Sequence, residues 1–199
     1  YSPEDVGLAS ATLAAMTLVA TLSALGLDFG LVRFLTHAGP NANRMVNSCL
    51  IITSLVSIII CGIFLAGIGV WSPSLLFIRQ NPLYLTAFVA FTVATALCGL
   101  VINVFVAQRR AGFVTVISLI FGLLRLPLAV LLAIFFHTFG IFASWGVSLM
   151  IALIISVLFF LPRAQPGYRL FPALIRSIIN SLVTIRSILA PNNFDVSPG

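Results

Sequence analysis

The sequence predicts an all-α, polytopic membrane bundle, and three observations lead there. The chain is 61% hydrophobic and only 7% charged, whereas soluble domains run near 45–50% apolar and about 25% charged. Its apolar residues gather into five stretches of helix length, at 8–34, 46–71, 83–107, 113–136 and 138–161, each long enough to cross a hydrocarbon core of about 30 Å. Its ten basic side chains are all Arg, and eight of them sort to one side of that stack. Numbering the connections alternately, Arg33, Arg44, Arg109, Arg110, Arg163, Arg169, Arg176 and Arg186 share a side, and Arg79 falls opposite with Glu4 and Asp5. Lys and Arg are retained on the cytoplasmic face, so the crowded side is expected in the cytosol and the N-terminal end outside. A net charge of +6 would suggest nucleic acid in a soluble domain; here it reports topology, and no nucleic-acid partner is expected.

The first span opens at Ser2-Pro3-Glu4-Asp5, with proline in the first turn and acids at the positive end of the helix dipole. Its later part carries Gly26 and Gly30, a GxxxG spacing that would let a neighbouring backbone approach closely. Gly39-Pro40-Asn41 marks a turn. The second span closes at Trp71-Ser72-Pro73, an interfacial aromatic followed by a helix stop. Arg79 and Asn81-Pro82 form the next connection, and Gln108-Arg109-Arg110-Ala111-Gly112 a tight cytosolic one. Only His137-Thr138-Phe139-Gly140 joins the fourth and fifth spans, so these must pack antiparallel. Gly140, Ala143, Ser144 and Gly146 supply a small contact surface at the head of the fifth.

After Leu161 the pattern changes. Residues 162–199 read as a cytosolic linker carrying an amphipathic helix over 170–190, with Phe171, Ile175, Ile178, Leu182 and Ile185 on one face and Arg176, Asn180 and Thr184 on the other. Residues 1–161 form the spanning domain. The start at Tyr1 and the odd number of spans suggest a fragment whose first span lies upstream.

Three residues are candidates for function. Arg125 sits within the fourth span, where an unpaired charge costs about 2.5–3.5 kcal/mol on insertion scales. Pro127, two residues on, frees a carbonyl and kinks the helix, which membranes tolerate where neighbours or water satisfy the backbone. Arg33 lies near the cytosolic interface, with snorkelling or topology as the plainer reading. Asp28 is the only carboxylate between residues 5 and 195. It stands about 140° round a helix from Arg33, so it is expected to pair with another span or to serve as an ion or proton site. Cys49, Cys61 and Cys98 lie in spans at no metal-ligand spacing, and neither metal, disulfide nor cofactor is expected.

Three blocks resemble the lipid-linked oligosaccharide and polysaccharide flippases of the multidrug/oligosaccharidyl-lipid/polysaccharide exporter superfamily. They are Pro3-Glu4-Asp5-Val6-Gly7, in which Val6 departs from the usual aromatic, Gly26-Leu27-Asp28 through Arg33-Phe34, and Leu124-Arg125-Leu126-Pro127 with Gly140-Ile141-Phe142-Ala143-Ser144-Trp145-Gly146. The resemblance covers roughly 1–165. It implies helices two to six of an N-terminal six-helix lobe plus the linker, with the second lobe of the same parent chain absent. It also implies transport by alternating access across the cell membrane, with a polyisoprenyl-(di)phosphate-linked saccharide and the lipid bilayer as partners. Arg125 and Arg33 would then hold the anionic head group, because the planar guanidinium fork gives phosphate paired hydrogen bonds.

Two other classes fare less well. A membrane glycosyl or prenyl transferase would need several carboxylates for diphosphate-bound metal, and one buried Asp cannot be both ligand and base, so no enzyme is expected. A multidrug or cation antiporter of the same superfamily is closer, but would favour acidic and aromatic cavity residues. A non-transporting scaffold leaves Arg125 unexplained.

Overall fold

A computed structural model describes the backbone of residues 3–35, 42–72 and 75–164. The helix expected over 170–190 lies outside the described residues. The order is α1 (Pro3–Ala24), α2 (Leu27–Leu35), α3 (Ala42–Trp71), α4 (Phe77–Gln80), α5 (Pro82–Ala107) and α6 (Ala111–Ile155), then a π-helical turn (Ser156–Phe160) and α7 (Leu161–Ala164). Among the described residues there is no strand, and five segments are long and apolar enough to span: Val6–Ala24, Ala42–Trp71, Pro82–Ala107, Ala111–Leu132 and Gly140–Arg163. The chain is a multi-pass membrane protein built as a helical bundle.

Local chemistry accounts for the helix ends. Asn81 caps α5, its side-chain oxygen accepting from the Leu83 amide at 3.0 Å, with Pro82 at the first helical position where no amide is missed. At the other end of α5, Arg109 adopts φ 56° and the Arg110 amide donates to the Phe105 carbonyl at 2.9 Å, which reverses the chain within three residues.

The first apolar stretch departs from expectation. It is not one helix over 8–34 but two, because Leu25 (φ 48°) and Gly26 (φ 72°) both take the left-handed conformation between α1 and α2. Gly26 is therefore outside any helix, and a Cβ at Gly26 or Gly30 would meet nothing within 4 Å. Among the described residues, the close approach that the GxxxG spacing would allow is not made.

Helical geometry runs without a break from Ala111 to Ile155, yet this is no straight rod. The rings of Phe113 and Phe160 lie 5.1 Å apart and those of Phe121 and Trp145 5.7 Å apart. A straight helix would hold these pairs about 70 Å and about 36 Å apart. The chain thus doubles back between Leu132 and Gly140, giving two antiparallel arms, Ala111–Leu132 and Gly140–Arg163. The antiparallel pairing read from the short connection is the one observed; the connection itself remains helical. The π-helical turn widens the second arm where Phe160 meets Phe113.

Packing shows the spans alternating in direction. One apolar cluster joins Met16 and Val19 of α1, Cys61, Phe64 and Ile68 late in α3, Phe88 and Phe91 early in α5, and Phe142 early in the second arm. The other joins Leu31 and Leu35 of α2, Val46 early in α3, Leu100 to Ala107 late in α5, Ile117 of the first arm, and Ala152 and Leu161 late in the second. α3, α5 and the second arm each give opening residues to one cluster and closing residues to the other, whereas α1 contributes only to the first and α2 and the first arm only to the second. Arg33, Arg44, Arg109, Arg110 and Arg163 belong to helices and turns at the second cluster's end; Arg79 is at the first cluster's end. The sorting of charge read along the sequence is therefore a sorting between the two ends of one bundle.

Small residues allow α5 and the second arm to meet. Ala143 is 5% exposed and Ser144 1%, and a Cβ on Gly146 would overlap the ring of Phe91. Backbones approach closely in membranes where such residues line the contact, so the small surface expected at the head of the fifth span is present.

Candidate functional site

The first arm of α6 differs from every other span. Only 6% of its apolar window is buried within the protein, against 28–39% for the other four. Ile117 is its one fully buried residue. Leu119, Leu123, Leu126, Val130 and Leu131 are uncovered at 57–71%.

Arg125 belongs to this arm. It stands about 80° round the helix from Ile117, on the flank of the packed face, and is exposed. Along the axis it lies about 21 Å from Ala111 and about 10 Å from Leu132, so it sits past the middle of the span, towards the Arg79 end and away from Arg109 and Arg110. Among the described residues its side chain makes no hydrogen bond, ion pair or ring contact. Leu126, Pro127, Val130 and Leu131 are exposed as well, about 100–240° round the helix from Arg125, so the arm beyond it is uncovered on its outer side. Pro127 lies inside the helix and is itself uncovered.

Asp28 and Arg33 are both on α2, five residues and about 140° apart round the helix. Asp28, in the first turn and half-buried, accepts from the Phe29 amide at 3.0 Å. There its charge complements the positive end of the helix, which gives the carboxylate a local structural role. Arg33, in the last turn and exposed, carries its guanidinium 5.9 Å from the Phe34 ring centre, and a cation there complements the negative end. α2 packs against α5 and α3. Asp28 makes no ion pair with Arg125 among the described residues. The three candidates therefore do not form one site within this chain: two share a short helix at the Arg-rich end and the third stands alone on the least packed span.

Arg163 has a plainer role, since its guanidinium donates to the Phe159 carbonyl at 3.0 Å and so satisfies a late helical carbonyl. Among the described residues no group of three His, Cys, Asp or Glu could hold a metal ion.

Two features escaped the sequence reading. Thr53 and Ser57, one turn apart on α3, are fully buried with hydroxyl oxygens that have no hydrogen-bond partner. Ser54, Thr92 and Ser148 instead donate to the carbonyl four residues back. Their i,i+4 spacing in an Ile-rich span was the available signal. The second feature is a cavity of about 250 Å³ at the end of the bundle that carries Arg79. It is lined by Leu8, Ala9 and Thr12 of α1, Phe77 and Ile78 of α4, Tyr84 of α5 and Phe142 of α6. These residues come from four elements separated in sequence, and no local pattern announces them.

Compared with known proteins, the chain matches no family model, no curated protein and no solved structure.

Proposed function

We propose that this chain is part of a cell-membrane transporter that flips a lipid-linked oligosaccharide or polysaccharide precursor by alternating access, with Arg125 contacting the anionic head group. The observation that carries the reading is the bare guanidinium on a span that the bundle scarcely covers. Lipid satisfies neither an Arg nor the carbonyl freed by Pro127. A second helical element facing this arm, with a hydrated cavity between the two, satisfies both. The second lobe implied by the resemblance would supply that wall, and the uncovered arm is where it would face. A phosphate entering the cavity would meet a planar fork able to form two parallel hydrogen bonds.

Arg33 would serve the same head group at the cytosolic end, where a basic surface attracts anionic lipid heads. Asp28, bonded within its own helix turn, supports a positioning role more than ion coupling. The Arg-rich end would face the cytosol.

Substitution in the complete transporter tests this. Arg125→Ala should stop saccharide translocation while membrane abundance stays normal. Arg125→Lys should recover part of the activity, since Lys keeps the charge and loses the fork. Normal abundance together with normal translocation in the Ala variant removes Arg125 from the mechanism. Reduced abundance with normal transport per molecule makes it structural.

A further inference from the structure

Arg79 is the cation that the topology does not account for. It is the one Arg at its end of the bundle among the described residues, and it adjoins Ile78, which lines the 250 Å³ cavity. We infer that the cavity and Arg79 together bind one anionic phospholipid of the leaflet at that end, the upper part of an acyl chain in the cavity and the phosphate beside Arg79.

The cavity is lined mostly by apolar side chains and is held open by their packing. Its deepest residues are buried, with Ile78 1%, Thr12 3% and Phe142 4% exposed. The Thr12 hydroxyl donates to the Leu8 carbonyl at 2.8 Å, so its proton is already used within α1. Phe142 cannot swing in to fill the space, because its ring packs 5.3 Å from Phe91 and stacks 6.4 Å from Phe88. Phe77 is held edge-on to Tyr84 at 6.0 Å. Apolar cavities of about 150 Å³ remain empty of water and accept benzene. One of 250 Å³ has room for roughly ten carbons on the same scale.

Depth and charge choose the occupant. Leu8 and Thr12 lie in the first two turns of the span that begins at Val6, and Tyr84 lies in the first turn of α5, with Trp71 closing α3. Tyr and Trp sit at the level of lipid head groups. A bilayer lipid in this leaflet begins its hydrocarbon at this depth. Its phosphate lies at the level of α4, where Arg79 is exposed. The Arg79 backbone is one residue, about 3.8 Å, from that of Ile78, close enough for an extended Arg side chain to span to the cavity mouth. This inference is independent of the transport reading and stands or falls without it.

The test is lipid retention by the full chain purified in detergent, read by native mass spectrometry with phosphatidylglycerol or phosphatidylcholine of equal chain length added. The unaltered protein should keep one phosphatidylglycerol in preference to phosphatidylcholine. Arg79→Gln should lower phosphatidylglycerol retention about fivefold, the worth of one basic residue at a membrane surface, and leave phosphatidylcholine unchanged. Ala9→Phe, which fills the cavity from α1, should lower both. Leu8→Trp at the rim repeats that test should Ala9→Phe fail to fold. Phosphatidylglycerol retention unchanged in Arg79→Gln overturns the head-group contact. Retention of both lipids unchanged in the filled variants overturns the chain site, as it would if another protein segment occupied the cavity.

Discussion

Replacing Gly146 by Ala should destabilise the bundle, although Ala is the better helix former by about 1 kcal/mol. Gly146 lies in the second arm of α6, and a Cβ there would overlap three carbons of the Phe91 ring, far inside the 3.4–4 Å of ordinary contact. Phe91 has nowhere to retreat: it is 6% exposed and its ring rests on Phe142, itself 4% exposed. Forcing an extra methyl into such a core costs about 1–3 kcal/mol. Set against the propensity gain, the net loss is up to about 2 kcal/mol. Gly122→Ala is the matched control, since a Cβ there meets nothing within 4 Å and only the propensity gain applies. Reversible unfolding in mixed micelles should then rank Gly122→Ala at or above the unaltered protein and Gly146→Ala below both. Phe91→Leu should relieve the overlap, so the double variant should be more stable than the sum of its parts predicts, with a coupling of about 0.5–3 kcal/mol. Equal stability of the two Gly→Ala variants, or strict additivity with Phe91→Leu, would refute the close approach of α5 to the second arm.

Two further outcomes follow from the backbone and the charge sorting. Leu25 is 65% exposed with φ 48°, so Leu25→Gly loses little packing and removes a left-handed penalty of about 1–2 kcal/mol; it should raise the unfolding midpoint, whereas Gly26→Ala should lower it. A straight helix through this point would make Leu25→Gly destabilising instead. In a background lacking Cys49, Cys61 and Cys98, single cysteines at Asn81 and Gly112 should react with an impermeant thiol reagent from opposite sides of the membrane, with Gly112 protected from outside. Labelling of both from one side would overturn the alternation of the spans.

The sequence alone determined that this chain lives in a membrane, which segments cross it and which end carries the Arg residues. Those properties follow from composition and from the length of apolar runs, because lipid demands about 20 apolar residues per crossing whatever the tertiary packing. Asn81-Pro82 and Gln108–Gly112 were legible for a similar reason: capping and turn chemistry are local. The antiparallel pairing of the last two spans was legible from the brevity of their connection. The break at Leu25–Gly26 was not, since hydrophobic periodicity passes through it and glycine in an apolar run is ambiguous between a contact face and a left-handed residue.

Only the tertiary structure decided what each polar residue faces. Arg125 reads as mid-span in the sequence, but its position on the flank of a scarcely covered arm depends on which helices pack against Ile117. Asp28 and Arg33 look like site residues when counted as rare charges, and the structure places them at opposite ends of one short helix, each complementing the dipole there. The cavity beside Arg79 needed four elements to assemble before it existed. Burial in a bundle is a property of neighbours, and a single chain of apolar spans carries almost no record of them, because the face that meets protein and the face that meets lipid are equally hydrophobic.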